Sequence, residues 1–91
     1  IGNSAFRNNS LTSVKLLSGV AIIGNEAFRD NQLTSLVLPA SLKIIGESSF
    51  RNNKLASVNM TGANTIEEIK AHVFQNNKLT SIYFPDSLNK I

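Results

Sequence analysis

The chain has 91 residues, a formal net charge of +3 and no cysteine, with 42% hydrophobic and 16% charged residues. This composition is typical of a folded domain rather than a disordered one, and the lack of thiols excludes disulfide bonds and cysteine-ligated zinc. The charge is too small for a basic nucleic-acid-binding domain, so we expect no nucleic-acid partner. No apolar run approaches the ~20 residues of a membrane-spanning helix, so we expect no transmembrane segment.

One phrase recurs four times along the chain. It reads FRNNSLTSV from residue 6, and FRDNQLTSL, FRNNKLASV and FQNNKLTSI follow it. Its phenylalanine recurs at spacings of 22, 22 and 24 residues, at Phe6, Phe28, Phe50 and Phe74. A fixed period of this length indicates a repeat architecture. We expect one array over 1–91, a fragment of a longer repeat protein, with four units at 1–22, 23–44, 45–68 and 69–90.

The first half of each unit predicts a return segment between strands. Isoleucine opens each unit and glycine follows in three of them, with Lys70 in the fourth glycine position. Because glycine weakens a helix, we expect an extended piece and then a single helical turn. Where the third unit passes into the fourth, Ile66, Ile69, Val73 and Phe74 have the spacing of one helical stripe, and Thr65 with Glu68 has the pattern of a capping box.

Two rows of identical residues lie between the return segment and the strand. We expect the phenylalanines to stack in the core. The asparagine row consists of Asn9, Asn31, Asn53 and Asn77. Amide side chains in such a row can satisfy backbone groups of the turn that enters each strand. Calcium binding is the alternative, but Asp30 is the one carboxylate near the row, and calcium needs several oxygen ligands.

The second half of each unit predicts a strand, because its apolar residues alternate with period two. The predicted core positions are Leu11, Val14, Leu16, Leu33, Leu36, Leu38, Leu55, Val58, Met60, Leu79, Ile82 and Phe84. The residues between them should face outward, namely Ser13, Lys15, Leu17, Ser35, Val37, Pro39, Ser57, Asn59, Thr61, Ser81, Tyr83 and Pro85. Strands of this kind can bury their apolar face when they pair in parallel with the neighbouring units.

The pattern Leu-x-x-Leu-x-Leu at this period is a leucine-rich repeat, and the stretch IGNEAFRDNQLTSLVLPASLKI resembles the BspA-like class of bacterial leucine-rich repeats. The resemblance covers the whole chain, although Leu17 and Thr61 replace the proline of the phrase. We expect a right-handed leucine-rich-repeat solenoid with a parallel β-sheet on the concave face and short helical turns and extended pieces on the return side. The resemblance implies an extracellular or cell-surface bacterial protein with a role in adhesion.

One outward position changes completely between units, and its residues are Lys15, Val37, Asn59 and Tyr83. A constant scaffold with one free position per unit is how repeat proteins build recognition surfaces. We therefore expect a protein or glycan partner on the concave face, with Tyr83 as the best single anchor. In the alternative reading these are tolerated exposed residues, and the repeats form an architectural spacer or platform with no ligand of their own.

A second candidate surface is a row of arginines at one-repeat spacing, Arg7, Arg29 and Arg51. In one reading, nearby acidic residues counter the row and leave a solvated edge. In the other reading, the row faces an anionic partner such as a sulfated or acidic glycan. Like charges at this spacing repel, so the row is destabilising unless it is countered, and Glu26, Asp30 and Glu47 are the acidic residues that can counter it.

No catalytic constellation appears, so we expect no enzyme activity, no cofactor and no metal. His72 is the single histidine, which leaves no metal-ligand set. The adjacent Glu67 and Glu68 point apart rather than forming an acid and base pair, and no glycine-rich phosphate loop is present. We also expect the two terminal units to expose apolar edges and to self-associate or fray.

Overall fold

The structure, a computed structural model, describes residues 1–60, 62–63 and 65–83. The predicted core residue Phe84 and the predicted outward residues Thr61 and Pro85 lie outside these ranges. The described chain contains six short strands: β1 Ile22–Ile23, β2 Ser35–Val37, β3 Ile44–Ile45, β4 Ser57–Asn59, β5 Glu68–Ile69 and β6 Ser81–Tyr83.

The strands form two parallel three-stranded sheets, with strand orders β1-β3-β5 and β2-β4-β6. Equivalent residues of successive units face each other, so that Ser35 pairs with Ser57 and Ser57 pairs with Ser81. Each unit therefore forms one coil that stacks on the next. The predicted strands and their parallel pairing are confirmed for units two to four, whereas the hand of the solenoid and the curvature of the sheet stay predictions.

The predicted helical turn is wrong, since no helix occurs in the described part of the chain. The predicted stripe contains β5, and Thr65 does not cap a helix: its Oγ1 lies 2.7 Å from the Ala40 carbonyl oxygen. Two causes oppose a helix. Left-handed backbone recurs in each coil, at Ser4, Glu26, Ser48 and His72. In addition, return-segment N–H groups donate to the next coil, as from Phe28 to Ser49 O at 2.8 Å, so they cannot bond within a helix.

The core runs along the stack of coils and includes the phenylalanine row. Phe28 and Phe50 are fully buried, and their ring centroids are 5.3 Å apart at an interplanar angle of 4°. Phe6 stacks on Phe28 at 5.4 Å, and Phe74 stacks on Phe50 at 6.1 Å. The predicted phenylalanine stack is confirmed. Large apolar rings that repeat once per coil give this narrow core most of its continuity.

From Asn31 to Asn77 the asparagine row forms a ladder of hydrogen bonds between coils, as the structural reading predicts, and the ladder is buried at Asn31 and Asn53. Asn53 Nδ2 donates to the carbonyl oxygens of Phe28 and Phe50 at 3.0 Å each, and its Oδ1 accepts from the Leu33 N–H at 3.1 Å. Asn31 makes the equivalent bonds one coil earlier. Each amide thus satisfies backbone groups in two coils. These backbone groups would be costly to bury without a hydrogen-bond partner.

The glycine after the opening isoleucine allows close approach of successive coils. A Cβ added to Gly46 would lie 2.6 Å from the backbone nitrogen of Asn25, whereas nothing lies within 4 Å of one added to Gly2 in the first coil. Lys70 holds this position in the fourth coil, and there the phenylalanine rings are further apart, 6.1 Å against 5.3 Å one coil earlier. At this repeat position, glycine therefore accompanies tight stacking of successive coils and lysine accompanies looser stacking.

Candidate binding surface

The variable strip, which we define as Lys15, Val37, Asn59 and Tyr83, lies on the exposed face of the β2-β4-β6 sheet and the segment beside it. Val37 pairs directly with Asn59, and Asn59 pairs with Tyr83. The side chains of Val37 and Tyr83 are 67% and 55% exposed. The strip exists because the alternate residues Leu36 and Val58 point into the core, which turns their neighbours outward.

Lys15 continues the strip into the first coil, but its surroundings differ from those of the other three residues. Residues 12–18, which are all described, form no strand. The described surface has two clefts of interest, with volumes of ≈ 270 Å³ and ≈ 350 Å³. The larger of the two lies beside Lys15. Its lining is Ser13, Val14, Lys15, Leu16, Ser35, Val37 and Pro39. Sequence reasoning missed this cleft.

The arginine row is largely countered by acidic side chains of the second unit. Arg7 lies 3.6 Å from Glu26 and 3.5 Å from Asp30, measured between side-chain nitrogen and oxygen atoms. Arg29 forms an ion pair with Glu26 and lies 3.7 Å from Asp30. Two of the three arginines therefore share two carboxylates, and the row is not a run of unpaired cations.

Arg51 differs from the other two arginines, because within the described residues it has no ion pair. Its buried Nε has no hydrogen-bond partner, which is also true of Arg29 Nε. It lines the smaller cleft of ≈ 270 Å³ together with Asn25, Glu26, Arg29, Glu47, Ser48 and His72. Two carboxylates balance the two arginines in this lining. An anionic ligand gains little from such a balanced set of charges, so the variable strip is the better candidate site.

We expect Glu26→Gln to lower the free energy of unfolding by less than about 1 kcal/mol, because the pairs it removes are partly exposed. The loss should shrink in 1 M salt, where charges are screened. Urea denaturation at low and high salt measures both effects. Glu67→Gln is the matched control, since Glu67 is exposed and has no ion pair among the described residues. A larger loss that salt does not change would contradict the assignment.

The described residues were also searched for a metal site and for a membrane-spanning helix. No group of three or more histidine, aspartate or glutamate side chains there could hold a metal ion. In the same part of the chain, no helix is long and apolar enough to cross a membrane.

Residues 1–91 match the protein family described as BspA type Leucine rich repeat region (6 copies). Comparison with curated proteins and with solved structures gives no match. The family match agrees with the parallel coils, the phenylalanine stack and the strand phrase described above. The chain therefore belongs to the BspA-type leucine-rich repeat family.

Proposed function

We propose that the chain is a non-catalytic binding module of a bacterial surface or secreted protein, and that it contacts a protein partner through the variable strip. The carrying observation is that Val37, Asn59 and Tyr83 occupy directly paired positions on three neighbouring strands. Membership of a leucine-rich-repeat family supports a protein-interaction role. The surface location and the role in adhesion follow the resemblance to BspA-like repeats and are part of this proposal.

The geometry of the strip suits a continuous contact with a partner. Neighbouring strands are separated by ~4.8 Å, so three paired residues span about 10 Å across the sheet. Val37 supplies an exposed aliphatic group, and Tyr83 supplies an aromatic ring with a polar tip. Tyrosine is enriched among the residues that dominate binding energy at interfaces. A surface of this composition favours a protein, whose apolar side chains can cover both residues.

A library of random peptides displayed on phage tests the proposal. We expect the wild-type chain to enrich clones whose affinity falls tenfold or more, about 1.4 kcal/mol or above, in a Val37→Ser, Tyr83→Ser double variant. Ile22→Ser is the matched control, because it removes an equally exposed apolar side chain from the other sheet. Circular dichroism and urea denaturation establish that all three proteins fold alike.

Equal enrichment by the wild type and the double variant would overturn the assignment of the strip. Screening the same three proteins against a glycan array separates a glycan partner from a protein partner. If neither the peptide library nor the glycan array gives binding that depends on the strip, an architectural spacer or platform becomes the better interpretation of the chain's role.

A further inference from the structure

We infer that the cleft between Lys15 and β2 binds an extended polypeptide in which acidic and aliphatic side chains alternate. This inference rests on the proposed function and specifies the chemistry of the partner at one end of the variable strip. Three independent features of the cleft support it: an open strand edge, a small apolar lining and one unpaired cation.

The open edge belongs to β2. In the described residues β2 pairs with β4 on one side, and no backbone hydrogen bond joins residues 12–18 to β2 on the other side. The segment is held at its two ends, where Gln32 N donates to Leu11 O at 2.8 Å and Gly19 N donates to Ser41 Oγ at 2.9 Å. Between these two anchors the first coil leaves the ladder. A strand edge without a partner is a template for an added extended chain.

The lining of the cleft suits an aliphatic side chain. Val37 is 67% exposed on one side, and Val14 and Leu16 are half-buried on the other. The serines of the lining are small and leave room between these groups. A volume of ≈ 350 Å³ is close to the lower end of the ~300–1,000 Å³ range of ligand pockets. The cleft therefore takes a few side chains of a peptide rather than a large ligand.

The charge of the cleft selects an acidic peptide. Lys15 is the one charged residue of the lining, and within the described residues it has no ion pair. The chain carries a net charge of +3, which favours approach of an anionic segment. In an extended chain, side chains at successive positions point to opposite faces. Alternating residues therefore place the aliphatic groups on the apolar lining and turn the carboxylates away from it. The long, flexible side chain of Lys15 reaches these carboxylates at the rim of the cleft.

Three blocked eight-residue peptides test the inference. In the first, aspartate alternates with valine; in the matched peptides, asparagine or lysine replaces the aspartate. We expect the wild-type chain to bind the aspartate peptide about two- to fivefold more tightly than the asparagine peptide at low salt, as for a single exposed ion pair. The lysine peptide should bind most weakly. Titration of the ¹⁵N-labelled chain should shift the amide signals of residues 13–16 and 35–38.

A charge reversal gives the sharper test. Lys15→Glu should invert the order, so that the lysine peptide binds more tightly than the aspartate peptide. Lys54→Glu is the matched control, since Lys54 is an exposed lysine away from the cleft, and this variant should keep the wild-type order. The preference of the wild type for aspartate should decrease between 0.05 M and 0.5 M salt, because the pair is exposed.

The inference is overturned if the aspartate and asparagine peptides bind equally, if Lys15→Glu keeps the wild-type order, or if no peptide binds at millimolar concentration. These results are distinct from a failure of the proposed function. Library clones that still depend on Val37 and Tyr83 would leave the strip as a binding surface with a partner of different chemistry. If instead no library clone depends on Val37 and Tyr83, while the three peptides keep their expected order of affinity, binding would be confined to the cleft.

Discussion

Asn53→Ala is expected to lower the free energy of unfolding by about 3 kcal/mol, because it removes three hydrogen bonds from a buried site. Asn53 is 6% exposed, and its amide bonds the carbonyl oxygens of Phe28 and Phe50 and the N–H of Leu33. Alanine leaves the Leu33 N–H without this partner, whereas Phe28 O keeps its bond from Asn31 Nδ2 and Phe50 O keeps its bond from Asn77 Nδ2. A buried group that loses its hydrogen bond costs about 1–3 kcal/mol, and a small domain has only about 5–15 kcal/mol in total.

The matched control for this substitution is Asn9→Ala. Asn9 holds the same position of the repeat, but it is exposed, and its side chain has no hydrogen bond within the described residues. We expect it to change the unfolding free energy by less than about 0.5 kcal/mol. Urea denaturation followed by circular dichroism compares the two variants. Equal losses for Asn53→Ala and Asn9→Ala would show that the ladder does not stabilise the stack as described.

Gly46→Ala is expected to cost about 3 kcal/mol, because its new Cβ has no free space. It would lie 2.6 Å from Asn25 N and 2.7 Å from Ile23 O, and both atoms belong to the backbone of the preceding coil. A flexible side chain could move aside, but a hydrogen-bonded backbone cannot do so without separating the coils. The loss in urea denaturation should therefore come with a wider separation of the Phe28 and Phe50 rings, towards the 6.1 Å seen beside Lys70.

Gly2→Ala is the control, since it makes the same substitution at the same repeat position where nothing lies within 4 Å of the added Cβ. We expect little or no loss of stability from it, because alanine also restricts the unfolded chain. If Gly46→Ala and Gly2→Ala had the same effect, crowding between coils would not be the reason for glycine at this position.

The repeat phrase was sufficient to predict the parallel pairing of units two to four and both side-chain rows. Phe28 and Phe50 stack, and Asn31 and Asn53 form the ladder, because identical residues at a constant spacing must meet when the coils stack. The predicted helical stripe was wrong. Its spacing suits a helix, but the backbone of Glu68–Ile69 pairs with Ile44–Ile45 instead. Pairing between coils satisfies the backbone N–H and C=O groups of this segment, and this outweighs the helical spacing of its apolar residues.

The candidate site was predictable only in part. The sequence alone pointed to Val37, Asn59 and Tyr83 as outward residues of successive strands, because period-two alternation determines which side chains face away from the core. It could not decide whether the arginines are paired, since Arg7 meets Glu26 and Asp30 across a coil boundary. That contact depends on side-chain conformations, which a repeat pattern does not specify.

The amino-acid sequence by itself determined the repeat period, the parallel pairing of equivalent strands and the composition of the buried rows, since each follows from identical residues at a nearly constant spacing. Tertiary structure alone decided where the coils depart from that regularity. Residues 12–18 leave the ladder beside β2, and the fourth coil stacks more loosely beside Lys70. The physical reason is that such departures depend on packing and hydrogen bonding between coils, to which residues far apart in sequence contribute jointly.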